Sequence, residues 1–210
     1  MTEKGVADPR SHKIEPLGKK HDRMVFSCGI DVLDTYLQKR ASQEAKKKIA
    51  TTFVMVESLT SAVIGYYTLS ATSILLADLP DETARKLPKC PNVPATLLGR
   101  LAIDNRYQGR GYGELLITDA LRRALQATTE VASYAVVVDA INERARSFYK
   151  HFGFCAFPDR TLHLFLPMKT MANLLCSFEY PIRLRWGKHA EEGFGGKLRV
   201  PPNKIRSFPL

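Results

Sequence analysis

The sequence predicts an α/β fold in which helices flank a central sheet. Three observations carry that reading. From position 95 onward, runs of strand length alternate with segments of helical periodicity, giving a β-α-β-α-β order. A glycine-rich turn, Gln108 to Gly113, leaves a strand and opens a helix. The run Tyr134 to Val138 is wholly apolar, as expected of a strand covered on both faces.

The elements follow in order. A polar leader ends in a first strand near Ile14 to Leu17. After Cys28-Gly29, Asp31 reads as an N-cap, and Val32, Leu33, Tyr36, Leu37, Ala41 and Ala45 recur at helical spacing. This helix, whole or broken into two, ends at Lys46-Lys47-Lys48, where lysines complement the helix dipole without any ligand. Thr51 to Glu57 and Ala62 to Leu69 are β-rich, and the short link Ser58 to Ser61 argues for a hairpin. Asp81 to Leu87 is a short polar helix, followed by a loop marked by Pro88, Pro91 and Pro94. Ala95 to Ile103 is a strand and Glu114 to Thr128 a helix with Leu115, Ala120, Leu121, Ala124 and Leu125 available for a core face. Asn142 to Phe152 is a second helix and Thr161 to Leu166 the final strand.

Composition limits the function classes. The 210 residues are 45% hydrophobic and 25% charged, which excludes wholesale disorder. A formal charge of +10 favours polyanionic partners: nucleic acid, an anionic membrane or a phosphate-bearing cofactor. Residues 177–210 hold seven basic and three acidic residues, a net +4, and lose apolar periodicity. They read as a loosely ordered basic tail, behind a leader of residues 1–12 and a domain of residues 13–176. The 4 cysteines and 5 histidines are scattered, with no C-x-x-C pair, so no metal site is expected and a reducing cytosol suits the chain. Ser58 to Ala77 is uncharged for 20 residues, long enough to span a bilayer, but its Ser, Thr, Gly and Tyr content reads as a buried strand.

The turn Gln108-Gly109-Arg110-Gly111-Tyr112-Gly113 carries the strongest chemical signal. Glycines let a backbone approach a ligand closely, and free amides at a helix N-terminus attract phosphate oxygens. It is not a P-loop, because no Lys-Ser or Lys-Thr follows, and a dinucleotide fingerprint would need glycine where Glu114 stands. A connection without a ligand is the alternative. About 30 residues on, Asn142 to Gly153 reads as a capped helix whose Ala145, Phe148 and Phe152 form a core stripe. Asn142 and Tyr149 share a face of that helix two turns apart. An arbitrary helical tyrosine is more often core than catalyst; the pairing with the glycine turn favours the second reading.

Together these residues resemble the GNAT acetyltransferase superfamily, whose signature Q/R-x-x-G-x-G/A matches Gln108, Gly111 and Gly113. Its second motif matches Asn142, Ala145, Phe148, Tyr149, Gly153 and Phe154. The resemblance covers roughly residues 13–170 and implies a mixed, mostly antiparallel sheet flanked by helices and splayed at an acetyl-CoA site. Phe26 to Asp31, Gly65 to Ser70, Leu98 to Asp104 and Phe165 to Met168 are similar to one subgroup, the acetyltransferase toxins of bacterial type II toxin–antitoxin pairs. That likeness implies acetylation of the α-amino group of aminoacyl-tRNA in the cytoplasm and arrest of translation. It also implies a ribbon-helix-helix antitoxin, operator DNA bound only through the antitoxin complex, and a homodimer as a pattern the family allows. The basic tail departs from the subgroup.

The resemblance distributes roles. The amides of Gln108, Gly109, Arg110, Gly111, Tyr112 and Gly113 would take the pyrophosphate, and the strand edge Leu101-Ala102-Ile103 would pair with the pantetheine arm. Asn142 and Phe148 would hold that arm. Tyr149, with an ordinary pKa of about 10, is the expected general acid for the leaving thiolate, only mildly uphill from a thiol. No carboxylate stands out as a base. Asp104 and Asp139 lie near strand ends, and each reads more simply as a loop-solvating acid. An α-amino group beside an ester is poorly basic, so water can deprotonate it. For tRNA phosphates the candidates are Lys46, Lys47, Lys48, Arg85, Lys86, Lys89 and Arg100, each also readable as solvated surface. The competing readings are a GNAT enzyme for a small amine or a protein N-terminus, and a non-catalytic binding module.

Overall fold

The computed structural model describes residues 12–57 and 61–174. The predicted tail and nearly all of the leader, with most of the hairpin link at 58–61, lie outside the described residues.

The strands are β1 (His12–Pro16), β2 (Thr51–Glu57), β3 (Val63–Leu75), β4 (Asn92–Ile103), β5 (Ala135–Asp139), β6 (Cys155–Phe157) and β7 (Arg160–Pro167). They form one sheet in the order β1-β2-β3-β4-β5-β7-β6. Every neighbouring pair is antiparallel except β4 with β5. The helices are α1 (Asp31–Thr35), a π turn (Tyr36–Arg40), α2 (Ala41–Lys46), α3 (Asp81–Ala84), α4 (Tyr112–Ala127) and α5 (Glu143–His151). A further helix starts at 168 and is described through 174. The expected mixed sheet with flanking helices is therefore present.

Alternation along the strands divides the core between the two faces of the sheet. Tyr67, Val136 and Val138 pack with Leu116, Ile117, Ala120 and Tyr149 beneath α4 and α5. Tyr66, Val54 and Val56 pack on the other face with Phe26, Tyr36, Leu37 and Ala41. Ile74, which shares the Tyr66 face of β3, packs with Val93, Ala95, Val137 and Phe165. The α4 core face is Tyr112, Leu116, Ile117, Ala120, Leu121 and Ala124, at helical spacing.

Several boundaries differ from the sequence reading, each for a local reason. Asp31 is the first helical residue rather than the cap. Ile30 takes the cap position without a side-chain bond, and Asp34 instead accepts from the Cys28 N–H at 2.8 Å. The first helix is interrupted by its π turn. β3 runs six residues past Leu69, because the polar stretch from Ser70 still pairs with β4. α4 opens at Tyr112, directly after Gly111 in the left-handed region at φ 86°. The three-residue β6, joined to β7 by a tight turn, was not visible as a separate strand. The uncharged stretch supplies β3 and the turn at Leu76–Asp78 that follows it, and no described helix is long and apolar enough to cross a membrane.

Two features of β4 shape the site. The pairing of β3 with β4 slips after Thr68↔Arg100 to Leu69↔Leu98, so Gly99 is an extra residue, a β-bulge. The bulge reverses the alternation. Before it, Val93 and Ala95 face the α3 side; after it, Ala102 joins the α1/α2 cluster on that same side. In addition, β4 and β5 pair only from Ala95↔Ala135 to Leu97↔Val137. Beyond that point the strands part, and the edge of β4 from Leu98 to Ile103 has no strand beside it on the β5 side.

Candidate active site

A cavity of about 580 Å³ occupies the gap between β4 and β5. Its α4/α5 wall includes Gly109, Gly111, Tyr112, Gly113, Ala145, Phe148 and Tyr149. Its α1/α2 wall includes Cys28, Ile30, Leu33, Arg100 and Asp139. The cavity therefore passes through the sheet rather than lying on one face.

The glycine turn is shaped as a cradle. Gly109 and Gly111 have φ of 74° and 86°, which favours glycine, and a Cβ at either would meet nothing within 4 Å. Neither glycine is thus required by packing. Among the described residues, the N–H groups of Gly109 to Gly113 have no acceptor within the chain. They stand at the positive end of a 16-residue helix, where an anion is stabilised. A Cβ on Gly113 would come to 3.6 Å from the Phe148 ring, so the turn sits against α5.

The Gln108 side chain holds the turn from inside. Its amide donates to Ile103 O at 3.0 Å and Cys28 O at 3.2 Å. Asp104, 1% exposed, extends the same clasp: it accepts from Ser27 N–H and from the Arg106 guanidinium at 2.8 and 2.9 Å. Burial alone would raise the Asp104 pKa; Arg106 and the backbone donors outweigh it and leave the pKa lowered. Asp104 is thus a buried structural anion, neither a solvated loop acid nor a base facing the cavity.

Tyr149 is 7% exposed, packs edge-on against Phe154 at 5.6 Å and lines the cavity. Burial pushes its phenol up to about 12. The proton is therefore held more tightly than the ordinary value of about 10 implied. Asn142 caps α5: its Oδ1 accepts from Ala145 N–H at 2.9 Å, which leaves only the Nδ2 end for a ligand.

The sequence-selected residues divide clearly. Leu101, Ala102, Ile103, Gln108, Gly109, Gly111, Tyr112, Gly113, Asn142, Phe148 and Tyr149 line the one cavity. Arg110 does not; its guanidinium lies 5.8 Å from the Tyr107 ring centre. Of the seven basic candidates only Arg100 reaches the cavity wall, lying 3.6 Å over the Tyr36 ring with Glu44 at 3.9 Å. Lys46, Lys47 and Lys48 are exposed at the end of α2, and Arg85, Lys86 and Lys89 are exposed after α3. Sequence reasoning missed the contribution of Leu33, which also lines the cavity. Gly99 inside a strand was a readable sign of a bulge. Among the described residues no group of three or more His, Cys, Asp or Glu is placed to hold a metal.

Residues 33–154 match the acetyltransferase (GNAT) family. The chain belongs to the GNAT acetyltransferase family. It is accordingly an acetyl-CoA-dependent N-acetyltransferase, and the cradle of free amides fits the phosphates of that cosubstrate. The chain is 34% identical to a probable toxin TacT of Sinorhizobium fredii, over 77% of this chain and 94% of the relative. It is 39% identical to a tRNA-acetylating toxin of Mycobacterium tuberculosis, over 71% and 88% respectively. Among solved structures, AtaT complexed with acetyl-methionyl-tRNAfMet superposes with a TM-score of 0.73 at 32% identity, covering 78% of this chain and 98% of AtaT. The same group includes a tyrosine-to-phenylalanine mutant of KacT, AtaTR bound with acetyl-CoA and a KacTA–DNA complex.

Proposed function

We propose that this GNAT enzyme is a toxin that acetylates the α-amino group of aminoacyl-tRNA, blocks translation in the bacterial cytoplasm and is neutralised by a cognate antitoxin. The observation that carries the reading is the cavity that crosses the sheet. One end is an amide cradle suited to acetyl-CoA; the other opens on the α1/α2 face beside Arg100. Relatives and neighbours over nearly their whole length are tRNA-acetylating toxins, toxins held by antitoxins, and toxin–antitoxin pairs on DNA. In this reading the antitoxin is of ribbon-helix-helix type, DNA is bound only through the complex, and the toxin pairs as a homodimer.

Acetyl-CoA supplies an acetyl group activated as a thioester. Gly109 to Gly113 hold its pyrophosphate through backbone N–H groups. The free edge of β4 at Leu101 to Ile103 receives the pantetheine amides as an added strand, with Asn142 Nδ2 and Phe148 opposite. A backbone N–H of that edge stabilises the charge that develops on the carbonyl oxygen. Tyr149 donates its proton to the departing sulfur. Arg100, Lys46, Lys47, Lys48, Arg85, Lys86 and Lys89 attract tRNA phosphates. The catalytic domain is residues 13–176, and 177–210 is an appendage.

The deciding experiment incubates purified protein with labelled acetyl-CoA and total charged tRNA, then with deacylated tRNA. Label appearing only with charged tRNA is expected. Label on small amines or protein N-termini, with none on charged tRNA, refutes the reading.

A further inference from the structure

Acetyl transfer to an amine releases a proton from nitrogen, and no side chain assigned above receives it. Asp104 is excluded, since it is buried in its clasp with Arg106. Asp139 stands differently. It is the last residue of β5, two beyond the final β4–β5 pair, and Gly99 is two beyond that pair on β4. The two residues thus flank the mouth of the gap, and both line the cavity.

Alternation fixes which way Asp139 faces. Val136 and Val138 point to the α4/α5 core, whereas Ala135 and Val137 point to the opposite face. Asp139 shares the second face, the side on which Arg100 lies over Tyr36 and from which an acceptor must come. Tyr149 approaches from the α4/α5 side. Proton donor and candidate acceptor therefore reach the gap from opposite faces of the sheet, so one can serve the sulfur while the other serves the nitrogen.

Asp139 is held in place. It lies directly across from His163 in the β5–β7 register, and His163 Nδ1 is hydrogen-bonded to Asp139 Oδ1. His163 is itself fixed by stacking on Phe157, with ring centres 4.5 Å apart and planes at 29°. The bond between Ala140 N–H and Leu162 O, 2.8 Å, secures the strands at that point. Asp139 Oδ2 has no partner among the described residues, and the side chain is 69% exposed, so it can exchange a proton with water. The other charged side chains of the cavity wall are Arg100, Glu114 and Arg144; of these, Arg100 is engaged by Tyr36 and Glu44.

We propose that Asp139, oriented by His163, accepts a hydrogen bond from the attacking amine and takes the proton that its nitrogen sheds as the C–N bond forms. The inference rests on the acyl-transfer reading of the cavity. The neutral amine donates an N–H to Asp139 Oδ2, which aims its lone pair at the thioester carbonyl carbon. As the C–N bond forms, the nitrogen becomes positive and far more acidic than a free ammonium, so a carboxylate suffices to deprotonate it. The carbonyl re-forms, the C–S bond breaks with its electron pair on sulfur, and Tyr149 protonates the thiolate. Asp139 then loses its proton to solvent and Tyr149 regains one, so the products are amide and free thiol. Asp139 is the catalytic residue here and His163 a positioning residue.

The test uses the full chain with two acceptors, charged tRNA and an amino-acid amide, and follows kcat, KM, acetyl-CoA affinity and melting temperature. Asp139→Asn should lower kcat about 100-fold on any acceptor the wild type uses, with acetyl-CoA affinity and melting temperature unchanged. Formate should restore part of the rate of Asp139→Ala by supplying the missing carboxylate. His163→Asn, which keeps an N–H donor near Nδ1, should stay within about threefold of wild type, while His163→Leu should lose about tenfold in kcat. The proposal is overturned if Asp139→Asn keeps a third or more of the wild-type kcat. It is overturned equally if formate fails to help Asp139→Ala, or if the Asp139 variants lose activity through weaker acetyl-CoA binding or unfolding. Should the wild type acetylate the amide but no charged tRNA, the tRNA reading falls and Asp139 is judged on the amide.

Discussion

Replacing Tyr149 with phenylalanine removes one oxygen and tests the acid step directly. A phenol at about 12 is a weaker acid than an ordinary thiol of about 8.5. Against a solvated thiolate, proton donation would be uphill by roughly 5 kcal/mol at about 1.4 kcal/mol per pKa unit. The cavity changes that comparison. Cys28 lines it too, and its thiol is pushed up to about 12, first by burial and then by the Asp34 carboxylate. Burial in the same cavity also makes a released CoA sulfur more basic than a solvated one, which narrows the gap between phenol and thiol. Without the hydroxyl, the thiolate must leave unprotonated from a poorly solvated site. Tyr149→Phe should therefore lose about 10²- to 10⁴-fold in kcat, the usual range for general acid catalysis. The ring stays packed, and the hydroxyl has no hydrogen-bond partner among the described residues, so melting temperature should move by no more than about 2 °C. Stopped-flow release of free thiol and calorimetric titration with acetyl-CoA measure the two halves. Turnover within threefold of wild type, or an acetyl-CoA affinity loss that accounts for the defect, refutes the assignment.

Further outcomes can be measured. Gly65→Ala should destabilise the fold by about 3 kcal/mol, because its Cβ would lie 2.6 Å from Ile103 Cδ1 and 2.8 Å from the Ala102 carbonyl. Gly111→Ala should lose only about 1–2 kcal/mol from its left-handed backbone but tenfold or more in acetyl-CoA affinity; thermal melts and titration separate the two variants. The contribution of Tyr149 to stability should be constant below pH ~10 and decline above it, because Tyr149, raised to about 12, keeps its proton when the unfolded chain has lost its own. Tyr149→Phe should flatten that alkaline decline by about one proton in a pH series of denaturant melts. Finally, deleting 177–210 should leave acetyl transfer intact, while replacing Lys46, Lys47 and Lys48 with alanine should reduce the salt slope of tRNA binding.

The parts of the site that were legible in the sequence are those set by local backbone chemistry. Left-handed glycines, a capping asparagine and a strand-to-helix junction leave residue-level marks, so the turn at Gly109 to Gly113 and the start of α5 could be placed. What was hidden depends on register. Nothing in Tyr134 to Val138 says that β5 pairs with β4 for only three residues, and nothing near His163 says that it faces Asp139. The Gln108 side chain is a case of partial legibility: its motif position was readable, but its bonds to Ile103 and Cys28 depend on a segment 80 residues away. The placement of the basic residues was the least legible. Charge is visible in sequence and direction is not, so seven cations were candidates and one of them reaches the cavity.

The bulge at Gly99 explains why Arg100 is that one. If Gly99 were paired in a regular ladder instead of bulging, strict alternation from Val93 and Ala95 would turn position 100 toward the α4/α5 core, where Leu98 already packs. The bulge reverses the phase and delivers Arg100 to the Tyr36 ring, which the π turn of the first helix presents. It also falls just past the last β4–β5 pair, so the side-chain switch and the splay of the strands occur together. One irregularity in β4 thus opens the gap where the cosubstrate fits and sets a cation on the face where an anionic acceptor arrives. Deleting Gly99 would leave Arg100 next to core-facing Leu98 and so on its present face, but would make the ladder regular beside the gap. Acetyl-CoA binding should then fall, whereas Arg100→Ala should weaken only the acceptor.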